Sequence, residues 1–154
     1  GVPLKEGDQP LNMERWAQML ASFTGPRNLE VLLEPGDFLV KDCGVLLVQV
    51  NTVEEKGGTR FVGVNAGFNL TNLYAYYQYP TIVVPLEEYR GDDFVEATLA
   101  GNINEGIDIF GEEMRLPPVQ EGDYLAFLLM GGYCISSSSN HCMRGEFSEY
   151  LIAS

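Results

Sequence analysis

The spacing of apolar residues changes character near residue 36. Before it, Met13, Trp16, Ala17, Leu20 and Phe23 recur at three- and four-residue intervals, which predicts one amphipathic helix over residues 11–23 with a core-facing stripe. Asn12 offers an N-cap, and Gly25-Pro26 ends the pattern. Leu29–Leu33 is a short unbroken apolar run, predicting a buried strand that stops at Glu34-Pro35-Gly36. A helix followed by a buried strand is the repeating unit of an α/β barrel.

Beyond Gly36 the chain reads as strands and turns. Gly44–Val53 and Thr59–Asn65 flank Glu55-Lys56-Gly57-Gly58 and predict a long hairpin. Further β-rich runs are Thr81–Pro85, Val95–Gly101, Tyr124–Met130 and Phe147–Ile152. Gly91-Asp92-Asp93, Pro117-Pro118 and Glu121-Gly122-Asp123 separate them. No second helix is predicted. The expected fold class is therefore mainly β: residues 37–154 as a closed barrel or sandwich, with residues 1–36 belonging to a different layer. Asn69–Tyr79, dense in tyrosine at positions 74, 76, 77 and 79, fits neither period and is expected to pack in the core or at a subunit interface.

The length of 154 residues suffices for one domain with a real core. A net charge of −13 argues against nucleic acid and anionic membrane as partners. No apolar run approaches the roughly 20 residues needed to cross a bilayer. No basic-then-apolar leader is present, so a cytoplasmic location is expected, and the opening Gly1-Val2-Pro3 without Met suggests a fragment or processed product. Cys43, Cys134 and Cys142 are odd in number and lack CxxC spacing, so neither a disulfide framework nor a metal site is expected. His141-Cys142 is too small a group to hold a metal, and His141 reads as a loop residue or a supporting donor.

Four segments put polar groups on glycine-containing turns: Leu32–Asp37 (LLEPGD), Val64–Asn69 (VNAGFN), Asn104–Asp108 (NEGID) and Met130–Asn140 (MGGYCISSSSN). Taken alone, Glu34 caps a turn, NEGID is an acidic turn and the serine run is a flexible loop. Their order and spacing resemble the C-terminal part of the pyridoxal-phosphate decarboxylases of alanine-racemase-like fold, whose members include the diaminopimelate and ornithine decarboxylases. The resemblance covers nearly the whole chain. It implies a C-terminal β-barrel domain preceded by one helix and one strand from the end of a (β/α)8 barrel.

The resemblance also implies site residues. Glu34 would pair with the pyridine nitrogen of pyridoxal 5'-phosphate, and Gly36 would offer its backbone to the phosphate. Asp37 stands where the family carries a phosphate-binding arginine, a departure that puts negative charge beside a dianion. Tyr133 would lie against the phosphate and the substrate. Asn104 occupies the position of a cysteine that protonates the carbanion, and an amide is no general acid near neutral pH. Cys134, next to Tyr133, could replace that thiol only if its side chain did not point the other way. Glu105 would bind the distal amino group of an amino-acid substrate, and Asp108 would sit near the cofactor-bearing lysine across a homodimer with shared active sites. The stretch shortly after Asn65–Asn69 is Asn72-Leu73-Tyr74, with no arginine, so diaminopimelate itself is not the expected substrate unless Arg60, Arg90 or Arg144 substitutes.

Lys5, Lys41 and Lys56 lack the context of the cofactor-bearing lysine, so the chain alone is expected to be inactive. The leading expectation is the C-terminal domain of a decarboxylase acting on a basic or diamino acid. A non-catalytic relative serving oligomerisation or regulation is the alternative that Asp37 and Asn104 favour. An unrelated acidic β-barrel binding module is a third.

Overall fold

The computed structural model describes Pro3 and residues 7–153. Its centre is a six-stranded sheet: β1 Leu46–Lys56, β2 Thr59–Val64, β3 Val83–Pro85, β4 Val95–Ala100, β5 Ile109–Leu116 and β6 Tyr124–Phe127. Spatial order is β3-β6-β1-β2-β4-β5. Neighbours are antiparallel except β2 and β4, which run parallel with Val62 opposite Leu99. The two edges approach each other, because the Thr81 hydroxyl, just before β3, donates to the Phe110 carbonyl of β5 at 3.0 Å. The sheet is thus a nearly closed barrel, as the strand spacing led us to expect.

Alternation fills the interior. Val48 and Val50 of β1, Val62 and Val64 of β2, Leu99 of β4, and Leu125 and Phe127 of β6 are buried in one cluster with Phe110 and Leu116. Phe110 meets Phe127 edge to face at 4.6 Å and Tyr74 at 4.0 Å between ring centroids. The hairpin closes at Gly57 and Gly58, both at positive φ (61° and 83°), the backbone that its two-residue turn requires. Register between β1 and β2 shifts between Val50 and Thr52, a bulge that lets the hairpin tip leave the barrel.

Among the described residues three α-helices accompany the sheet: α1 Met13–Thr24, α2 Gly36–Val40 and α3 Leu73–Tyr77. Asn12 caps α1, its Oδ1 accepting the Arg15 N–H at 2.9 Å. α3 ends on Gln78 at φ 54°, whose N–H reaches the Leu73 and Tyr74 carbonyls.

Several expectations need correction. No residue of α1 is buried, so its apolar stripe meets no core among the described residues, and Phe23 is 56% exposed. Leu29–Leu33 is irregular and exposed, because no described strand lies beside it to supply ladder hydrogen bonds. Phe147–Ile152 is likewise irregular, with Leu151 95% exposed. The short helices α2 and α3 and the strand β5 were not expected. Of the tyrosine-rich segment, Tyr74 is core, whereas Tyr76 and Tyr77 are exposed. No helix among the described residues is long and apolar enough to cross a membrane.

Candidate functional site

The polar segments gather into two groups around the end of β6. In the first, the turn after β6 meets α2. The Met130 N–H donates to the Gly44 carbonyl at 2.9 Å, and the Gly131 N–H to the Lys41 carbonyl at 3.0 Å. These bonds bring Gly132 and Tyr133 onto Gly36 and Asp37. A Cβ on Gly36 would come within 2.6 Å of Tyr133 Cζ, and one on Gly132 within 2.6 Å of Asp37 Oδ1. A Cβ at either position would have to displace the facing side chain. Tyr133 itself sits at φ 58°, in the left-handed region, so local backbone strain is accepted to place its ring.

Asp37 does not face this group as a bare charge. Lys41, one turn along α2, holds its ammonium 3.3 Å from Asp37 Oδ2 and 4.8 Å from the centroid of the Tyr79 ring. Lys41 is only 2% exposed, and Asp37 Oδ1 is buried without a hydrogen-bond partner. The pair brings net charge close to zero at this spot. Lys41 had no place in the motif reading, although its i,i+4 spacing from Asp37 is visible in the sequence. Glu34 is exposed in the irregular stretch before α2, and its carbonyl accepts the Gly36 N–H at 3.0 Å.

The second group is built on Asp108. Asp108, expected near the cofactor-bearing lysine and the substrate across a homodimer, is within this chain an internal clamp, 2% exposed. Its Oδ1 accepts the Phe68 N–H and the Tyr74 hydroxyl, each at 2.7 Å, and its Oδ2 accepts the Ile103 N–H at 2.6 Å. Burial, and then the charge and hydrogen bond of Asp108, push the Tyr74 phenol far above its ordinary range. The clamp joins Val64–Asn69 to Asn104–Asp108, two segments that motif reading could only place separately. Asn104 and Glu105 project from it and are exposed.

Glu105 meets the turn that follows Tyr133. His141 Nε2 lies 3.5 Å from Glu105 Oε1, and the His141 ring stands 5.1 Å from that of Phe68. Buried Asn69 holds this turn: its carbonyl accepts the Ser139 N–H at 2.7 Å and its Nδ2 donates to the Arg144 carbonyl at 2.7 Å. Of the three arginines considered earlier, Arg60 pairs with Glu55 and Arg90 with Glu88, while Arg144 belongs to the turn beside Glu105. Cys134 is buried, its sulfur accepting the Thr71 hydroxyl at 3.3 Å. Burial pushes its thiol up, so it is a poor substitute for an exposed acid at Asn104. The structure therefore brings Gly36, Asp37 and Tyr133 together, and Asn104 and Glu105 together with His141; Glu34 joins the first group only through its backbone carbonyl, which accepts the Gly36 N–H.

The family described as pyridoxal-dependent decarboxylase, C-terminal sheet domain, matches residues 37–131. The diaminopimelate decarboxylase of Methanothermobacter thermautotrophicus is 33% identical over 159 residues, covering 99% of this chain and 37% of its own length. The diaminopimelate decarboxylase of Escherichia coli is 34% identical over 169 residues, covering 97% and 40%. Among solved structures, an Aquifex aeolicus protein superposes with a TM-score of 0.84 at 29% identity, covering 93% of this chain and 35% of that one. A diaminopimelate decarboxylase of M. jannaschii in complex with L-lysine gives 0.81 at 28% identity, covering 94% and 34%. The chain thus spans 37% and 40% of the length of those two curated relatives.

Proposed function

Because this chain belongs to the pyridoxal-dependent decarboxylase family, as a C-terminal sheet domain, we propose that the protein carrying it removes carbon dioxide from a diamino acid. The observation that carries this reading is the packing of Gly132-Tyr133 onto Gly36-Asp37, segments distant in sequence that the end of β6 brings into contact. The arrangement fits the phosphate end of pyridoxal 5'-phosphate. Gly36 and Gly132 let Tyr133 and Asp37 lie directly against backbone, the Tyr133 hydroxyl can donate to a phosphate oxygen, and Lys41 offsets the charge of Asp37. Gly36, Tyr133 and the Asp37–Lys41 pair would hold that end. When bound, the cofactor supplies an electron sink for the carbanion that departing carbon dioxide leaves.

Glu34 would keep a proton on the pyridine nitrogen. Glu105 would receive the distal ammonium of the substrate, and Arg144, on the turn beside Glu105, would meet a distal carboxylate where the substrate has one. Diaminopimelate is thereby restored to the candidate substrates alongside lysine- and ornithine-like acids. Asn104 offers hydrogen bonds but no proton, so a water or another group must protonate the carbon. The exposed Asn104–Glu105 turn and the exposed aromatic rings of Tyr76 and Tyr77 suit a homodimer in which this turn completes a partner's site.

The test is carbon dioxide release and product analysis in the protein that carries the domain. Glu34→Ala should nearly abolish release if ring protonation is lost. Asn104→Cys should raise the yield of correctly protonated amine. If Glu34→Ala is harmless and Asn104→Cys changes neither rate nor products, the domain belongs to a non-catalytic relative.

A further inference from the structure

The turn that presents His141 is held in a conformation its own residues disfavour. Cys142 and Met143, neither of them glycine, lie consecutively at φ 52° and 58°. Left-handed backbone on two successive residues with β-carbons persists only where surrounding structure imposes it. Here buried Asn69 does so, gripping the turn on both sides through Ser139 and Arg144. What this strain delivers is an imidazole. The His141 ring packs on Phe68, whose own N–H is fixed by Asp108, and its Nε2 reaches Glu105 Oε1 at 3.5 Å. The same carboxylate of Asp108 fixes Ile103, two residues before Glu105. Both partners of the His141–Glu105 pair are therefore anchored to one buried clamp.

We propose that His141 is a positioning residue for Glu105, fixing the direction of the carboxylate that takes the distal ammonium of a diamino acid. This rests on the substrate role proposed above for Glu105. A half-exposed glutamate on a turn samples several rotamers, and ordering it on substrate arrival weakens binding. A stacked imidazole removes part of that cost beforehand. The sequence leaves His141 as a loop residue or a supporting donor without showing what it supports, because Glu105 lies in a different segment of the chain.

The experiment is calorimetric binding to the cofactor-loaded protein that carries this domain, with L-lysine as a ligand bearing a distal amine and L-norleucine as one without it. His141→Phe keeps a ring on Phe68 and removes the N–H. It should weaken L-lysine about two- to fivefold, the range for a half-exposed polar pair, and leave L-norleucine unchanged. His141→Gln, which restores an N–H donor, should recover most of the loss. In a Glu105→Gln background His141→Phe should have no further effect. Equal weakening of both ligands, or an undiminished effect in the Glu105→Gln background, assigns His141 a merely structural role and overturns the inference. A Glu105→Gln protein with undiminished L-lysine affinity sinks the substrate reading and the inference together. An impaired Glu105→Gln beside an indifferent His141→Phe sinks the inference alone.

Discussion

Asp108→Ala is the sharpest test of how the second group is built. The substitution deletes the acceptor of three hydrogen bonds of 2.6–2.7 Å, from the Phe68 N–H, the Ile103 N–H and the Tyr74 hydroxyl. All three donors stay in a region where Asp108 is only 2% exposed. A buried donor left unsatisfied costs about 1–3 kcal/mol. Taking about 1–2 for each, to allow for relaxation and entry of water, gives roughly 3–6 kcal/mol. That is a large part of the roughly 5–15 kcal/mol by which a domain is stable. Asp108→Asn preserves shape but turns an N–H2 toward at least one donor, so roughly 2–4 kcal/mol is expected. Tyr74→Phe removes a donor and leaves Asp108 with its two amide partners, so about 1 kcal/mol is expected. Urea unfolding followed by far-ultraviolet circular dichroism gives the three values, and amide exchange at Phe68 and Ile103 localises the effect. An Asp108→Ala protein within about 1 kcal/mol of the parent, with exchange at both amides unchanged, would refute the clamp.

The alkaline limb of stability should report Tyr74: its phenol is pushed up by burial and by Asp108. Its contribution is complete below the unfolded value near 10 and is lost as pH rises above that, at up to about 1.4 kcal/mol per pH unit. Tyr74→Phe should flatten that limb, and an unchanged slope between about pH 10 and 11 would contradict the burial argument. Gly36→Ala should push Tyr133 off α2 and weaken pyridoxal 5'-phosphate binding about tenfold or more while leaving pyridoxal affinity nearly unchanged; equal loss for both ligands would separate Tyr133 from the phosphate. Gly58→Ala, at φ 83° with open space around it, should lower stability by about 1 kcal/mol without altering cofactor affinity, as unfolding and titration would show.

How far the sequence spoke depended on whether a feature was local. The hairpin was legible because Gly57-Gly58 and the alternating valines of β1 and β2 act within a few residues of one another. The helix α1 was legible from its spacing and from Asn12. β5 was missed because Gly111-Glu112-Glu113 interrupts its apolar alternation; tertiary pairing with β4 overrides that weak propensity. The error at Leu29–Leu33 runs the other way, since an apolar run becomes a strand only where another strand meets it. Glycines and Tyr133 were recognisable from motif resemblance, but their packing on α2 depends on where β6 ends. Asp108 misled for a related reason: a carboxylate on a loop reads as available until Phe68 and Tyr74, far back in the chain, are found to occupy it.

Sheet order also bears on how the chain emerges from a ribosome. β6, the most C-terminal strand among the described residues, lies between β3 and β1 rather than at a margin. The β1–β2 hairpin can form early, and β4 and β5 can add to its far side. Leu46–Gln49 and Val83–Pro85, however, keep open hydrogen-bonding edges until Tyr124–Phe127 arrives to join them. Unpaired edges beside apolar side chains recruit other chains, so this interval is the nascent protein's exposed period, and the one in which a chaperone has most to bind. A translation stop before residue 124 would therefore leave two unmatched edges with nothing to join them, rather than a smaller finished sheet.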